Sequence, residues 1–415
     1  MKPSQWFVGV DWASQSHQVC VLDARGVGQG QRSFPHSGTG LGQMCDWILQ
    51  QTGTSAEDVS VAIEVPHGPV VDALMERCFA VYAINPRQLD RFRDRFSPAG
   101  AKDDRRDARV LADAMRTDGD RWRRLEPVAA EVIQLREFSR LGARLIRERT
   151  RLVNRLREQL WRYYPQFLGL SDNLAEPWVM DVWKLAPTAA AARKLRPSRV
   201  AKVLKQHRIR RIDAPEVLRC LRARSVPLAP GTTRAVVAHI ESLGAGLALV
   251  QSQIRDTSRE LDVLLRALAQ RLESGAGSEG ARRDVTLLAS LPGVGRIVLA
   301  TLLSEGFDVI RRRDYAALRC LCGVAPVTRS SGKHTRVVRR QAVHPRLREA
   351  AYHWSRVATQ HDPTSKAKYA DLRERGHGHA RALRSVADRL LAVACAMLRN
   401  QTVYDANHVR QRRAA

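Results

Sequence analysis

Four carboxylates stand where acids are unusual, and they are the residues of this sequence best placed to do chemistry. Asp11 interrupts an apolar run, where a charge is costly unless a metal ion or a partner group holds it. Glu64 ends a second apolar run, and Asp104 and Asp107 stand three residues apart, on one face of a predicted helix. Acids on two strands and on a following helix can converge on two divalent cations about 4 Å apart, a geometry for phosphodiester cleavage.

Each of these acids also has a plain structural explanation. Asp104 and Asp107 suit the first turn of a helix, where the helix dipole favours negative charge, and an acid at a strand end is often only solvated. If the four do form a site, its all-carboxylate ligand set favours the hard cation Mg²⁺. The sequence has no His and Cys residues spaced as zinc ligands.

Two stretches near the C-terminal end suggest contacts to phosphate. Residues 291–296 open an apolar helix, and the glycines Gly293 and Gly295 leave backbone N–H groups free at its N-terminus, although an ordinary helix cap is an equal alternative. Residues 323–333 form a basic loop that contains Ser331 before Gly332, a pair that by itself most often marks a turn. The basic residues expected to hold a DNA backbone there are Arg329, Lys333, Arg336, Arg339 and Arg340. His377-Gly-His379 has no Cys or carboxylate at ligand spacing and is expected to be solvated.

Length and composition limit the class of protein. The 415 residues suggest two or three domains, and a hydrophobic share of 44% excludes general disorder. The seven scattered cysteines, with no CxxC pair, suit reduced thiols in a cytosol. The most apolar run, residues 390–398, is about half the ~20 residues of a bilayer crossing, so the sequence predicts no membrane partner.

The charge indicates a nucleic-acid partner. The formal net charge is +27, yet residues 1–90 hold five Lys/Arg and nine Asp/Glu, so the excess of positive charge lies in the rest of the chain. Residues 193–211 alone hold nine Lys/Arg and no acid, which favours contact with nucleic acid over a merely solvated face.

The elements that must position these residues change character along the chain. Strands at 7–11, 19–22, 61–63 and 80–84 alternate with helices at 42–49, 70–77 and 104–116, which predicts a mixed α/β domain. Heptad spacing follows, most clearly from Leu243 to Leu272, and predicts an antiparallel coiled coil or long helical hairpin. A Gly/Ser linker at 274–278 precedes a mostly helical region. We therefore predict an α/β domain at 1–125, a helical and coiled-coil region with a basic insertion at 126–280, an all-α domain at 281–400 and a basic tail at 401–415.

Together these residues resemble a known family. Asp11, Glu64 and the run Lys102-Asp-Asp-Arg-Arg-Asp-Ala108 are similar to the DEDD tetrad of insertion-sequence-110 transposases, which are related to pilin-gene DNA invertases. The family pattern Lys-x-Asp-x-x-Asp-Ala selects Asp104 and Asp107 and leaves Asp103 at the variable position. The resemblance covers nearly the whole chain. It implies a RuvC-like, ribonuclease-H-like N-terminal domain and a helix-hairpin-helix-like element at residues 291–296.

The resemblance also implies a function. In that family the catalytic serine follows Gly-x-x-Pro and precedes a glycine, which matches Ser331, with Ser330 as the second choice. The implied activity is DNA recombination that excises and inserts an insertion sequence through a phosphoserine–DNA intermediate. Mg²⁺ would be bound by Asp11, Glu64, Asp104 and Asp107. The implied partners are double-stranded DNA, a structured guide (bridge) RNA and further copies of the chain as a dimer or tetramer, with the heptad seam as a dimer contact. The implied location is the bacterial cytoplasm, at the nucleoid.

Two alternatives stay open at the level of sequence. The first is a structure-specific nuclease of the Holliday-junction resolvase type, in which the carboxylates activate water and Ser331 is structural. The second is a nucleic-acid scaffold without enzymatic activity, in which the carboxylates are helix caps and solvated strand ends.

Overall fold

The computed structural model describes residues 5–95, 103–270, 279–332 and 334–405. It divides into two compact units, Met1–Val128 and Ala129–Ala415. Lys102, Lys333, the predicted linker at 274–278 and the tail beyond residue 405 lie outside the described residues.

The N-terminal unit is a six-stranded sheet with helices on both faces. Its strands are β1 (Trp6–Asp11), β2 (Ser16–Asp23), β3 (Gly28–Pro35), β4 (Val59–Ile63), β5 (Ala80–Ala83) and β6 (Arg123–Arg124), in the order β3-β2-β1-β4-β5-β6. β1, β4 and β5 are parallel, whereas β2 is antiparallel to β1 and β3, and β6 is antiparallel to β5. Its helices are α1 (Gly38–Thr52), α2 (Pro69–Glu76), α3 (Pro86–Asp94) and α4 (Asp104–Asp118). The predicted mixed α/β architecture is confirmed.

Alternation along β1 decides which residues meet which helices. Val8 and Val10 are fully buried in a core with α1 and α2. Because successive strand residues point to opposite faces, Gly9 and Asp11 lie on the other face, which α4 covers.

Three elements of this unit were not predicted, namely β3, β6 and α3. β3 is rich in glycine and polar residues and buries only Phe34, so it carries no hydrophobic alternation. The strand predicted at 80–84 ends before Pro86, and Pro86 begins the unpredicted helix α3. A proline is well tolerated at a first helical position, because the amide hydrogen it lacks would have no partner within the helix.

The C-terminal unit is mostly helical. Its helices are α5 (Ala130–Tyr163), α6 (Pro177–Leu185), α7 (Ala189–Lys194), α8 (Pro197–Gln206), α9 (Ala214–Leu221), α10 (Thr232–Gln270), α11 (Glu279–Ala289), α12 (Arg296–Glu305), α13 (Phe307–Arg311), α14 (Tyr315–Leu321), α15 (Pro345–His361), α16 (Pro363–Glu374) and α17 (His379–Asn400). Its one described hairpin is β7 (Val327–Ser331) with β8 (His334–Val338). One core gathers around α6 to α9, a second around α11 to α17, and α5 and α10 contribute to both.

The helices α5 and α10 lie antiparallel along each other. A Cβ added at Gly142 would lie 3.5 Å from the Thr257 side chain, and one added at Gly246 would lie 3.8 Å from Leu152. Residue numbers therefore rise along one helix as they fall along the other. Heptad residues of α10 such as Leu243 and Leu261 are buried inside this unit, and Ile254 and Leu268 are partly buried. Leu272, the last residue of the predicted seam, lies outside the described residues.

The burial of this seam corrects one expectation. Because the heptad residues already pack within their own chain, they are not available as a dimer contact, and that interpretation of the seam is wrong. By length and composition alone, residues Thr232–Ala269 of α10 would be compatible with a bilayer crossing, whereas no segment of that kind was predicted from the sequence.

The basic stretch at 193–211 is folded. It includes the end of α7 and the whole of α8, in which Val200 and Leu204 are buried in the core around α6 to α9. Most of its cationic side chains are exposed, although Arg211 forms an ion pair with Glu176.

Candidate active site

Asp11 and Glu64 lie side by side at one edge of the sheet. β1 and β4 are parallel neighbours with Val10 opposite Ile63. Asp11 follows Val10 in the chain and Glu64 follows Ile63, so the two acids lie at the same level on adjacent strands. Neighbouring strands are about 4.8 Å apart, so the two carboxylates emerge close together at the carboxyl ends of these strands.

The helix α4 approaches the same edge with its N-terminus. The Gln31 side chain of β3 donates to the Arg105 carbonyl at 2.5 Å, whereas a Cβ at Gly26, before β3, would lie 3.1 Å from the Arg116 side chain. The helix therefore runs opposite to β3 and to β1, because both of these strands are antiparallel to β2. Its first turn thus lies toward the end of β1 that carries Asp11.

A close approach at Gly9 sets how deep α4 sits on the sheet. A Cβ built on Gly9 would lie 1.9 Å from the Ala108 carbonyl oxygen, so only glycine permits this contact. Asp104 precedes Ala108 by one helical turn on the same face, about 6 Å away. Asp11 lies two residues beyond Gly9, about 6.6 Å along the strand. The matching steps place the first turn of α4, which carries Asp104, toward the Asp11 end of β1.

Asp107 is buried and holds an arginine. Its side chain is 1% exposed, and its two oxygens accept from Arg93 Nε at 2.6 Å and Arg93 Nη2 at 2.8 Å. Burial alone would lower the pKa of Arg93, but Asp107, Asp90 and Glu64 outweigh it and raise that pKa above its ordinary value. The guanidinium is therefore a fixed positive charge among the acids, bound to Asp107 and influenced by the charge of Glu64.

These acids fit a divalent cation by the chemistry of their oxygens. In the described ranges, however, no group of three or more His, Cys, Asp or Glu side chains is close enough to hold an ion as it stands. The reason for Asp107 is visible, since Arg93 engages both of its oxygens. Asp103 has a different role, because its Oδ1 accepts from the Arg105 amide at 3.2 Å and caps α4.

Ser331 lies at the tip of a β-hairpin in the C-terminal unit. It is the last residue of β7, it pairs with His334 of β8, and it is exposed. Gly332 follows with φ of 54°, a left-handed conformation that two-residue hairpin turns require and that glycine adopts without strain. Gly332 is therefore explained by the geometry of the turn, and Ser331 lies directly before that turn.

The two serines of the hairpin point to opposite faces. Ser330 lies opposite Thr335, and their hydroxyl oxygens are 3.1 Å apart. Ser331 shares the other face with the pair Arg329 and Arg336. Ser331 therefore lies beside arginines, whereas the Ser330 hydroxyl has the Thr335 hydroxyl as its partner.

His334 was not identified from the sequence. It is the direct cross-strand neighbour of Ser331, a relation that places Cβ atoms about 4.5–5.5 Å apart. Its position opposite Ser331 can be found from the sequence only if the turn at Gly332 is recognised, because that turn sets which residues of the two strands are paired.

The two glycines of the predicted helix-hairpin-helix-like element have structural roles. Gly293 has φ of 77°, and a Cβ there would lie 2.7 Å from the Ala358 amide nitrogen of α15. The Gly295 amide donates to the Gly293 carbonyl at 3.1 Å. The prediction that this amide is free is therefore wrong. Trp354 Nε1 donates to the Pro292 carbonyl at 2.9 Å and ties this turn to α15. Contact of the turn with phosphate stays a prediction.

Comparisons with known proteins agree on one class. A family model described as a transposase, of the DEDD IS110 type, matches residues 8–165, and one described as "Transposase IS116/IS110/IS902 family" matches residues 285–370. The "Mini-circle putative transposase for IS117" of Streptomyces coelicolor is 32% identical over 391 residues, 93% of this chain and 92% of the relative. The "Putative transposase y4uE" of Sinorhizobium fredii is 52% identical over 214 residues, which are 51% of this chain and 60% of the relative. The "Insertion element IS110 uncharacterized 43.6 kDa protein" of Streptomyces coelicolor is 27% identical over 96% of this chain and 95% of the relative.

Proposed function

Because the chain belongs to the IS110 family of transposases, we propose that it cuts and rejoins DNA through a phosphoserine intermediate on Ser331. The observation that carries this proposal is the placement of Ser331, exposed at a hairpin tip on the face that carries Arg329 and Arg336. These two arginines offer paired positive charge for a phosphodiester beside the hydroxyl.

The chemistry is a pair of phosphoryl transfers. The Ser331 hydroxyl gives its proton to a base, for which its cross-strand neighbour His334 is the candidate, and the serine oxygen bonds to phosphorus while the bond from phosphorus to one sugar oxygen breaks. That sugar oxygen takes a proton and leaves as a free hydroxyl. A hydroxyl of another strand then attacks the phosphoserine, rejoins the DNA and returns the serine. Energy of the broken phosphodiester is kept in the intermediate, so rejoining needs no further reactant.

The carboxylate edge is the proposed site of the divalent cation that the family implies. Asp11, Glu64 and Asp104 would hold it, and Asp107 would join them by exchanging Arg93 for the cation. Mg²⁺ is the proposed ion because it prefers carboxylate and water oxygens. When bound, it would stabilise negative charge on the reacting phosphate.

The remaining parts of the proposal concern fold and partners. Acids at the carboxyl ends of central parallel strands support a RuvC-like, ribonuclease-H-like N-terminal unit, and the antiparallel α5 and α10 support a coiled coil. Element and target DNA are the proposed substrates. A structured guide RNA is proposed to supply sequence recognition, consistent with the broad basic surface at 193–211. Assembly as a dimer or tetramer and a location in the cytoplasm at the nucleoid complete the proposal, and the seven free cysteines suit that compartment.

An adduct trap tests the proposal. The chain is purified with the RNA of its element and incubated with labelled junction DNA and Mg²⁺, and denaturing gels then compare native protein with S331A, S330A and D104N. The expected result is a covalent protein–DNA band that S330A keeps and that S331A and D104N lose. S330A is the matched control, since it removes the same group from the opposite face of the hairpin.

Other outcomes contradict the proposal in distinct ways. An adduct that survives in S331A removes Ser331 as the nucleophile. Cleaved DNA with free 5′-phosphate ends and no adduct supports the resolvase-type nuclease, in which water attacks and the serine is a turn residue. DNA that is bound and never cut supports a scaffold.

A further inference from the structure

A cavity of about 440 Å³ opens at the base of the β7–β8 hairpin. Arg339 and Arg340, which follow β8, form one wall, and Arg381 and Arg384 of α17 form another. His377, in the loop before α17, also lines it.

The charge of this cavity is strongly positive. Five arginines and a single acid, Asp388, line it. Asp388 is already engaged, because its carboxylate accepts from Arg319 Nη2 at 2.6 Å and from the Tyr315 hydroxyl at 2.8 Å. The other four arginines therefore face the cavity with no acid of its lining left to neutralise them. Such a concentration of cations on converging walls is costly unless an anion joins them.

Two buried polar atoms in the same walls have no partner in the part of the chain that the structure describes. They are Arg340 Nε and His377 Nδ1, so the expectation of a merely solvated His377 is wrong for this nitrogen. A buried donor without an acceptor costs about 1–3 kcal/mol, and charged oxygens would supply the acceptor. The pKa of Arg384 points the same way, since burial and then repulsion by Arg339 and Arg381 lower it.

We propose that this cavity binds one phosphate group of a nucleic-acid strand that passes the hairpin. Arginine is suited to this role because its planar fork matches two phosphate oxygens at once. The cavity lies at the Val338 end of β8, four residues from His334 at the tip, or about 13 Å. A stacked strand covers that distance in about four nucleotide steps. The site would therefore anchor the strand a few nucleotides from the phosphate that faces Ser331. This inference rests on the proposed function only in that nucleic acid supplies the phosphate.

A binding experiment with matched charge changes tests it. R381Q/R384Q removes two charges from the cavity, and R356Q/K366Q removes two exposed charges from α15 and α16, outside its walls. Full-length protein is titrated into labelled DNA and labelled RNA, single-stranded and double-stranded, at several salt concentrations. We expect the cavity variant to lose at least about tenfold in affinity for one of these strands, and the control variant clearly less. The slope of log affinity against log salt should fall by about 0.7–0.9, the value for a single phosphate.

Two further measurements separate the effect of the guanidinium shape on binding from the effects of charge and of folding. R384K keeps the charge and loses the planar fork, so we expect a loss of affinity between those of the native protein and the double variant. Because the four arginines repel one another, R381Q/R384Q should melt no lower than native protein without nucleic acid. Loss confined to DNA or to RNA identifies the strand that is bound, and either supports the site.

Equal losses in the cavity and control variants would overturn the proposal, as would an unchanged affinity and salt slope for all four probes. These results are independent of the adduct assay. A cavity variant that binds weakly while S331A forms adducts keeps the phosphate site and removes the serine mechanism.

Discussion

Replacing Gly9 by alanine should disable the carboxylate edge without touching any acid. The new Cβ would lie 1.9 Å from the Ala108 carbonyl oxygen and 2.6 Å from the Ala112 amide nitrogen, both in the backbone of α4. Backbone atoms of a helix cannot rotate away as a side chain can. The whole helix must therefore move off β1, and Asp104 and Asp107 move with it.

The size of the effect follows from this overlap. Carbon and oxygen atoms that are not bonded to each other stay at least about 3 Å apart, so α4 must retreat by about 1 Å, and a misplacement of that size can reduce a rate by about 100-fold. Overpacking at a buried contact also costs about 1–3 kcal/mol of stability. We expect G9A to form adducts about 100-fold more slowly than native protein and to expose the amides of α4 to faster hydrogen exchange.

Gly42 provides the matched control. It lies inside α1, and a Cβ there would meet no atom within 4 Å. G42A should therefore stabilise the N-terminal unit by about 0.5–1 kcal/mol, because alanine is the better helix residue. The readouts are the rate of adduct formation and the hydrogen exchange of α4, since a chain with two units need not unfold in one transition. If G9A exchanges and reacts like G42A, the argument that Gly9 sets the position of α4 is wrong.

Three further predictions concern single contacts. R93A leaves the buried Asp107 carboxylate without its partner and should lower the free energy of unfolding in urea by about 3–5 kcal/mol. Added Mg²⁺ should stabilise R93A more than it stabilises native protein. Equal stabilisation of the two proteins by Mg²⁺ would contradict the exchange of Arg93 for a cation. Burial by itself would raise the pKa of Glu305, but hydrogen bonds and charge from arginines lower it below its ordinary value of 4.5. The ionised Glu305 therefore stabilises the fold fully above pH 4.5. This stabilisation is lost as the pH falls through the lower pKa of Glu305 in the folded protein. E305Q should thus be less stable than native protein by about 3–5 kcal/mol at pH 7, with the gap closing in acid; a gap independent of pH would refute this. H334Q should slow adduct formation by about 100-fold at unchanged DNA affinity, if His334 takes the serine proton, whereas T335V on the opposite face should not.

Much of the N-terminal unit could be predicted because many of its strands and helices have recognisable patterns within a few residues of sequence. The apolar strands around Val8 and Val61 are buried on both faces and read as short apolar runs, and the first turn of α4 carries its acids and its Asp103 cap within a few residues. β3 could not be predicted, because an edge strand that buries only Phe34 needs little apolar sequence. The helix α3 was hidden by Pro86, whose effect depends on whether a helix begins or ends there.

The candidate site divides in the same way. Residue types and spacing were enough to select Asp11, Glu64, Asp104 and Asp107 as candidates, because each stands in a local context that is unusual for its type. Ser331 was selected only by the resemblance to the family, since a serine before a glycine most often marks a turn. The partner of Asp107 was not visible, since Arg93 lies on a helix that the sequence concealed. His334 needed the hairpin register, and the arginines of α17 needed the fold that carries them to the end of β8.

The sequence by itself determined most kinds of element, the candidate acids and the nucleic-acid partner expected of a strongly basic chain. These depend on local spacing and on net charge, both of which are properties of the chain before it folds. Tertiary structure alone decided that the heptad seam of α10 is covered by its own chain, that Gly9 lets α4 lie against β1 at Ala108, and that Arg340 and Arg384 meet in one cavity. Those outcomes join residues far apart in sequence, and which distant surfaces meet is settled by the packing of whole helices and sheets, which no local pattern records.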